Sequence, residues 1–303
     1  MQPQSTIIGT GTPMLITLAV ISGLGLGSMY GLLALGFSIT YTVAHTVNFA
    51  QGSAMMLGAV LCYTLHVTLG WGAPSSVGLT LLLCALWGLV VERCAVRPFV
   101  RRGSTAWLMS TVALGLVLEN AALFTFGKEP RSLFAHLTTT PIRLGGLGVS
   151  PLQMLIPVVG LSVAGLLHLV SHCTRQGKAL LAIVQNMEAA QLMGINVTGA
   201  IAMAYALSTV LAGGAGMLIA PLFNVSADMG TLFGIKAFAV AIVGGLTHTW
   251  GVMLAGLGYG IVEALITAVL GSSYTHIVTF TLVILALACL PHGLFGRAGV
   301  HKV

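Results

Sequence analysis

Apolar residues in this chain come in long unbroken stretches. These cover residues 14–43, 53–69, 77–91, 105–126, 151–170, 199–221, 231–246, 250–270 and 275–290. Each is 15 to 30 residues long and lacks the period-two alternation of a barrel strand, so each reads as a helix. Crossing ~30 Å of hydrocarbon takes about 20 apolar residues, so the shorter stretches imply tilted or partial crossings. The pattern predicts an all-α, polytopic integral membrane protein with about eight or nine transmembrane helices over residues 14–291 and no soluble domain.

Composition agrees. Only 6% of the 303 residues are charged and 57% are hydrophobic, against roughly 25% charged in ordinary soluble domains. A chain this poor in charge cannot build a water-facing surface, which excludes a soluble domain, a nucleic-acid binder and a disordered protein. The surroundings are membrane lipid. Five cysteines without Cys-x-x-Cys spacing read as small apolar residues rather than as a disulfide or metal framework. The first residues, MQPQSTIIGTGTP, carry no basic n-region, so no cleaved signal peptide is expected.

The positions of the few charges suggest an orientation. Residues 92–102 (ERCAVRPFVRR) hold four Arg and one Glu. Residues 171–198 hold Arg175, Lys178 and Glu188, and the tail holds Arg297 and Lys302. The positive-inside rule places all three on the cytoplasmic side. Residues 127–150 then lie outside, in mild conflict with Lys128, Arg131 and Arg143. The N-terminus is outside if 14–43 is one span and inside if it is a broken pair.

Several features could carry function. Gly23, Gly27 and Gly31 recur every four positions, as do Gly256 and Gly260, a spacing that lets helix backbones meet closely. Tight static packing and a sliding surface both fit. Residues 44–52 (AHTVNFAQG) interrupt the apolar pattern with Asn48 and Gln51 but no charge. This is either a short loop or a helix break at depth, where amides line a polar cavity. Glu119, next to Asn120, and Glu263 lie inside apolar runs. An intramembrane charge costs at least ~2.5–3.5 kcal/mol and is paired or functional by default. Lys236 reads either as such a charge or as a residue near a span end that snorkels to water.

The segment CTRQGKALLAIVQNMEAAQLMGIN, within the predicted cytoplasmic loop 172–198, reads as one short amphipathic helix. Ala182, Gln185, Glu188 and Ala189 share a neighbourhood by spacing, and Gly194 stops the helix. It is either a plain surface helix or one that docks in a partner's groove. No Walker A loop, His-Glu-x-x-His or Gly-x-Ser-x-Gly occurs, so no catalytic residue, metal site or ATP site is expected in this chain.

Taken in order, YGLLALGFSITYTVAHTVNFAQG, ERCAVRPFVRR, GKALLAIVQNMEAAQLMGIN, GIKAFAVAIVGGL, GYGIVEAL and PHGLFGR resemble the smaller permease type of branched-chain amino acid ABC transporters, over nearly the whole chain. The resemblance implies a permease subunit in a bacterial inner (plasma) membrane, working on branched-chain or related neutral amino acids. It implies as partners a second, related permease chain, two cytoplasmic ATPase subunits that bind ATP and Mg, and an extracytoplasmic substrate-binding protein. It assigns ATPase coupling to the loop with Arg175, Gly177, Lys178, Ala182, Glu188, Ala189, Ala190, Gly194 and Ile195. It also marks Asn48, Lys236 and Glu263 as matching positions. Gln51-Gly52-Ser53 stand where the family commonly has His-Gly-Glu, and Leu181 stands where it commonly has Arg. Importers of urea or short-chain amides share this architecture. On the charges alone, a secondary transporter coupled to protons through Glu119 and Glu263 is a further reading.

Overall fold

The computed structural model describes residues 12–100, 102–133, 142–144, 147–289 and 293–294. Every apolar stretch is helical over most of its described residues. The helices are α1 (Thr12–Ala44), α2 (Gln51–Tyr63), α3 (Ala73–Val90), α4 (Trp107–Phe126), α5 (Pro151–Cys173), α6 (Arg175–Gln185), α7 (Met187–Leu192), α8 (Val197–Ile219), α9 (Met229–Gly244), α10 (Thr249–Leu270) and α11 (Ser272–Cys289). Among the described residues six helical segments are long and apolar enough to cross a membrane, those at Leu15–Ala44, Ala73–Val100, Trp107–Phe126, Pro151–Cys173, Val197–Ile219 and Thr249–Leu270. The chain is a multi-pass membrane protein. To the all-α expectation it adds a small antiparallel ribbon, β1 (Ile142–Leu144) on β2 (Leu147–Val149), paired Ile142 to Val149 and Leu144 to Leu147.

Two helices organise the bundle. α1 packs on α10, α8, α5 and α9, and α2 on α8, α9, α4 and α3. Their side chains form much of the core: Met29, Tyr30, Leu33 and Phe37 from α1 share one buried cluster with Met55, Met56 and Ala59 from α2. The outer helices α3, α4, α5 and α11 keep large apolar side chains such as Leu86, Phe124, Leu166 and Ile284 exposed, as helices bathed in lipid do.

α1 is one unbroken helix of 33 residues. At 1.5 Å per residue it is about 50 Å long, so its two ends lie at opposite faces of the bundle. The broken-pair alternative for this stretch is therefore overturned. At one face Ala44 of α1, the end of α3 and Thr198 of α8 line a common small cavity.

The basic stretch that begins at Glu92 is a helical continuation as far as Val100. α3 runs through a π-helical stretch, Val91–Val96, into a last turn, Arg97–Val100. Glu92 is buried there and accepts both Arg97 Nε and Nη2, at 2.9 and 2.8 Å. A bidentate pair of this kind holds both groups in a fixed plane, which explains how an acid survives inside the packing. At the opposite face Arg131 pairs its backbone with Val225 and sets its guanidinium 4.6 Å from the Phe126 ring centroid. This contact uses one of the three cations that sat awkwardly with an external loop.

Candidate functional site

The glycine stripes seen separately in the sequence face each other. A β-carbon added to Gly27 would lie 2.6 Å from the Gly256 carbonyl oxygen and 2.7 Å from Leu257 Cα. One added to Gly260 would lie 2.2 Å from the Gly27 nitrogen. Gly23 likewise abuts Ile261, while Gly31 meets the Met253 sulfur. α1 and α10 are thus joined backbone to backbone, with no side chain between them at the crossing.

The neutral interruption is a helix break closed on itself. His45 turns the chain with a positive φ of 51°, and residues 46–48 and 50 are buried. Asn48 Oδ1 accepts from the Ala50 N–H and its Nδ2 donates to Gln51 Oε1. Gln51 Nε2 donates to the Ser208 carbonyl, and the Ser208 hydroxyl bonds both Gln51 Oε1 and the Gly36 carbonyl. The absence of Lys and Arg follows. This backbone lies inside protein, where its freed groups find amide and hydroxyl partners instead of water. By Gln51 the chain has already climbed back to the level of Gly36. Asn48 and Gln51 spend their amides on these contacts.

Glu119 and Asn120 part company. Glu119 is buried and accepts Ser53 Oγ at 3.2 Å and Thr231 Oγ1 at 2.8 and 2.9 Å, tying α4 to α2 and α9. These groups border a cavity of about 340 Å³ that also touches Phe37, Phe49 and Phe238. Asn120 is exposed, and its amide is spent on the Leu116 carbonyl of its own helix. Neighbours in a helix point about 100° apart, so adjacency in sequence does not make one site.

Lys236 is the largest departure. It lies in the middle of α9, is 1% exposed and forms an ion pair with Glu263 of α10. The snorkelling reading is overturned, because the buried side chain turns inward to the Glu263 carboxylate. The Tyr30 ring lies 5.8 Å from Lys236 Nζ, and Tyr259 packs edge-on against Tyr30. Pairing answers the cost of two intramembrane charges.

The polar segment between α5 and α8 is two helices rather than one. Asn186 is extended (φ −158°, ψ 107°), and its side chain accepts from the Ala189 N–H, which caps α7. The shared face expected for Ala182, Gln185, Glu188 and Ala189 is therefore broken, because Asn186 stops one helix to start the next. Thr174 caps α6 in the same way. Gly177 sits so close to the Val170 and Ser171 carbonyls that a β-carbon would approach within 2.2 Å, which binds α6 tightly to the end of α5. Ile183 and Ala190 point inward. Ala182 and Ile195 are half-buried, whereas Arg175, Lys178, Glu188, Ala189 and Gly194 are exposed. Gly194 takes a φ of 83° and ends the turn. Just before it Leu192 and Met193 are 89% and 83% exposed, a bare apolar tip that the sequence reading did not single out.

Sequence reasoning also missed the neutral partners of each polar residue: Ser208, Ser53, Thr231 and Tyr30. Each is a hydroxyl in an apolar run, and that was the available signal.

Apolar helices with paired charges inside and two short polar helices at one end make up a multi-pass membrane protein. The chain belongs to the family described as branched-chain amino acid transport system / permease component, which it matches over residues 19–287. It is 31% identical to the high-affinity branched-chain amino acid transport system permease protein BraD of Pseudomonas aeruginosa, over 94% of this chain and 97% of that one. It is 29% identical to the high-affinity branched-chain amino acid transport system permease protein LivH of Escherichia coli K12, over 94% and 96%. A probable branched-chain amino acid transport permease protein LivH of Methanocaldococcus jannaschii is 30% identical over 88% of each chain.

Proposed function

We propose that this chain is the membrane-spanning subunit of an ATP-driven importer for branched-chain or related neutral amino acids. The observation that carries this reading is the family match across residues 19–287. In this reading residues 14–291 are the permease domain in a bacterial inner membrane. The end of the bundle with Glu92, Arg97 and the α6–α7 hairpin faces the cytoplasm. A second permease chain completes the pathway, an extracytoplasmic binding protein delivers the solute, and two ATPase subunits hold ATP and Mg.

The hairpin is the coupling element. Its exposed tip, Leu192 and Met193, enters a groove on the ATPase. Movement of that groove reaches the bundle because α6 is fastened to α5 at Gly177 and packs on α1. α1 in turn carries α10 with it through the glycine crossing, so the pair moves as one body against its neighbours.

The test is purification of the tagged chain from its native membrane in mild detergent, followed by uptake in vesicles. Co-purifying ATPases and a second permease, with ATP-dependent uptake of labelled leucine in the presence of the binding protein, are the expected result. Absence of any ATPase after cross-linking, or uptake that collapses with an uncoupler while ATP is maintained, would overturn it.

A further inference from the structure

A cavity of about 590 Å³ lies between α1, α9, α10 and α11, and the Lys236–Glu263 pair borders it. Its walls are mixed. Leu18, Leu26, Leu232 and Phe233 supply apolar surface, while Lys236 and Glu263 are the charges. The pair is not saturated. Lys236 gives one of its three ammonium hydrogens to Glu263 Oε1, and Glu263 Oε2 accepts nothing. The Tyr30 hydroxyl stands beside the same carboxylate, fully buried, and has no partner at full hydrogen-bond geometry. A buried polar atom left without a partner costs about 1–3 kcal/mol, more when charged, so open groups of both kinds at one cavity call for a partner that brings matching ones.

We infer that this cavity binds the zwitterionic head of an aliphatic α-amino acid, with the ammonium on Glu263 Oε2 and Tyr30, the carboxylate on Lys236 and the side chain among the leucines and Phe233. The charges select the class. The site holds one lysine and one glutamate in a wall that is mostly apolar, with hydroxyls and His276 at its α11 side. A solute with a single charge would engage one of them and bring a net charge into a low-dielectric space. A zwitterion answers both at once and adds no net charge. The aliphatic preference follows from walls that offer contact area. The inference takes its solute class from the importer reading and adds the place and the recognising groups.

The test uses the full chain in lipid nanodiscs with three probes: L-leucine, 3-methylbutylamine, which lacks the carboxylate, and 4-methylpentanoate, which lacks the amine. Leucine is expected to raise the melting temperature of the unmodified chain, with each analogue at least tenfold weaker. The double variant Lys236→Met, Glu263→Gln leaves no lone buried charge and is expected to lose the leucine response. Tyr30→Phe removes only the hydroxyl and is expected to weaken leucine several-fold without changing the unliganded melting temperature. If the double variant does not fold, the Tyr30→Phe chain and the analogue series decide. The inference is overturned if leucine leaves the unmodified chain unchanged, if the double variant responds equally, or if both analogues bind as well as leucine. ATP-driven uptake that persists while leucine fails to bind here removes this inference alone. Leucine binding without any ATPase partner removes the importer reading alone.

Discussion

Gly27 of α1 and Gly260 of α10 touch through their backbones: a β-carbon on Gly260 would stand 2.2 Å from the Gly27 nitrogen and 2.3 Å from its Cα. Backbone atoms of two packed helices cannot swing aside as a side-chain end can. The crossing therefore depends on hydrogen at these positions. Gly258 sits two residues away on the same helix, where a β-carbon would meet nothing within 4 Å.

The contrast gives a prediction with its own control. Gly260→Ala should destabilise the chain by about 1–3 kcal/mol, the range for overpacking. Gly258→Ala should be neutral within about 0.5 kcal/mol. Thermal unfolding in detergent reads both. Equal melting temperatures for the two variants would show that α1 and α10 are not held as close as described.

The Gln51–Ser208 contact supports a second prediction. Gln51 bridges the broken segment before α2 to α8, and Ser208 extends the bridge to α1 at Gly36. Gln51→Leu keeps the bulk, strands the Asn48 amide and removes the tie to the Ser208 carbonyl, which keeps its partner within α8. The stranded amide costs about 1–3 kcal/mol. Ser208→Ala removes the hydroxyl that bonds Gln51 Oε1, a contact that Gln51→Leu also removes, so the two changes should be less than additive in a double-mutant cycle. Strict additivity would mean that the two side chains act independently.

Glu119 leads to a third. It accepts hydroxyls from Ser53 and Thr231. Both donors are neutral, so Glu119→Gln retains an acceptor oxygen and should cost little. Glu119→Leu leaves two hydroxyls bordering a cavity without their acceptor and should cost about 1–3 kcal/mol. Melting temperatures of the two variants check the order. If Gln is as damaging as Leu, the negative charge itself is needed.

How much of this was legible in the sequence depends on distance along the chain. Helices were visible because apolar length is a local property, and the nine stretches became helices with ends within a few residues. Capping was half visible. Gly194 announced a stop, but Asn186, which splits the coupling segment, sat inside an unbroken helical pattern. Partners were not visible. Lys236 and Glu263 lie 27 residues apart on different helices, and no periodicity says that one turns toward the other. Without that pairing, a lysine seven residues into a short span resembles one that reaches for water. The glycine stripes were legible as two close-packing faces. That they pack on each other required the crossing geometry of α1 and α10.

The bare tip of α7 tests the coupling role. Leu192 and Met193 are largely exposed, so neither contributes much to the fold. Changing both to Asp should leave the melting temperature of the isolated chain within about 0.5 kcal/mol-equivalent of the starting value. Exposed apolar residues at a docking tip behave as anchors, and losing an anchor typically costs more than 1 kcal/mol of association. With two of them lost and two carboxylates added, ATPase co-purification should fall at least tenfold, since about 1.4 kcal/mol is a factor of ten. Leu192→Ile with Met193→Leu preserves the apolar surface and should retain binding. Pull-down of the ATPase from detergent extracts, alongside ATP-driven uptake in vesicles, reads both sets. Full ATPase recovery and wild-type uptake by the double Asp variant would move the docking contact away from this tip, to the flanking polar face around Arg175, Lys178 and Glu188.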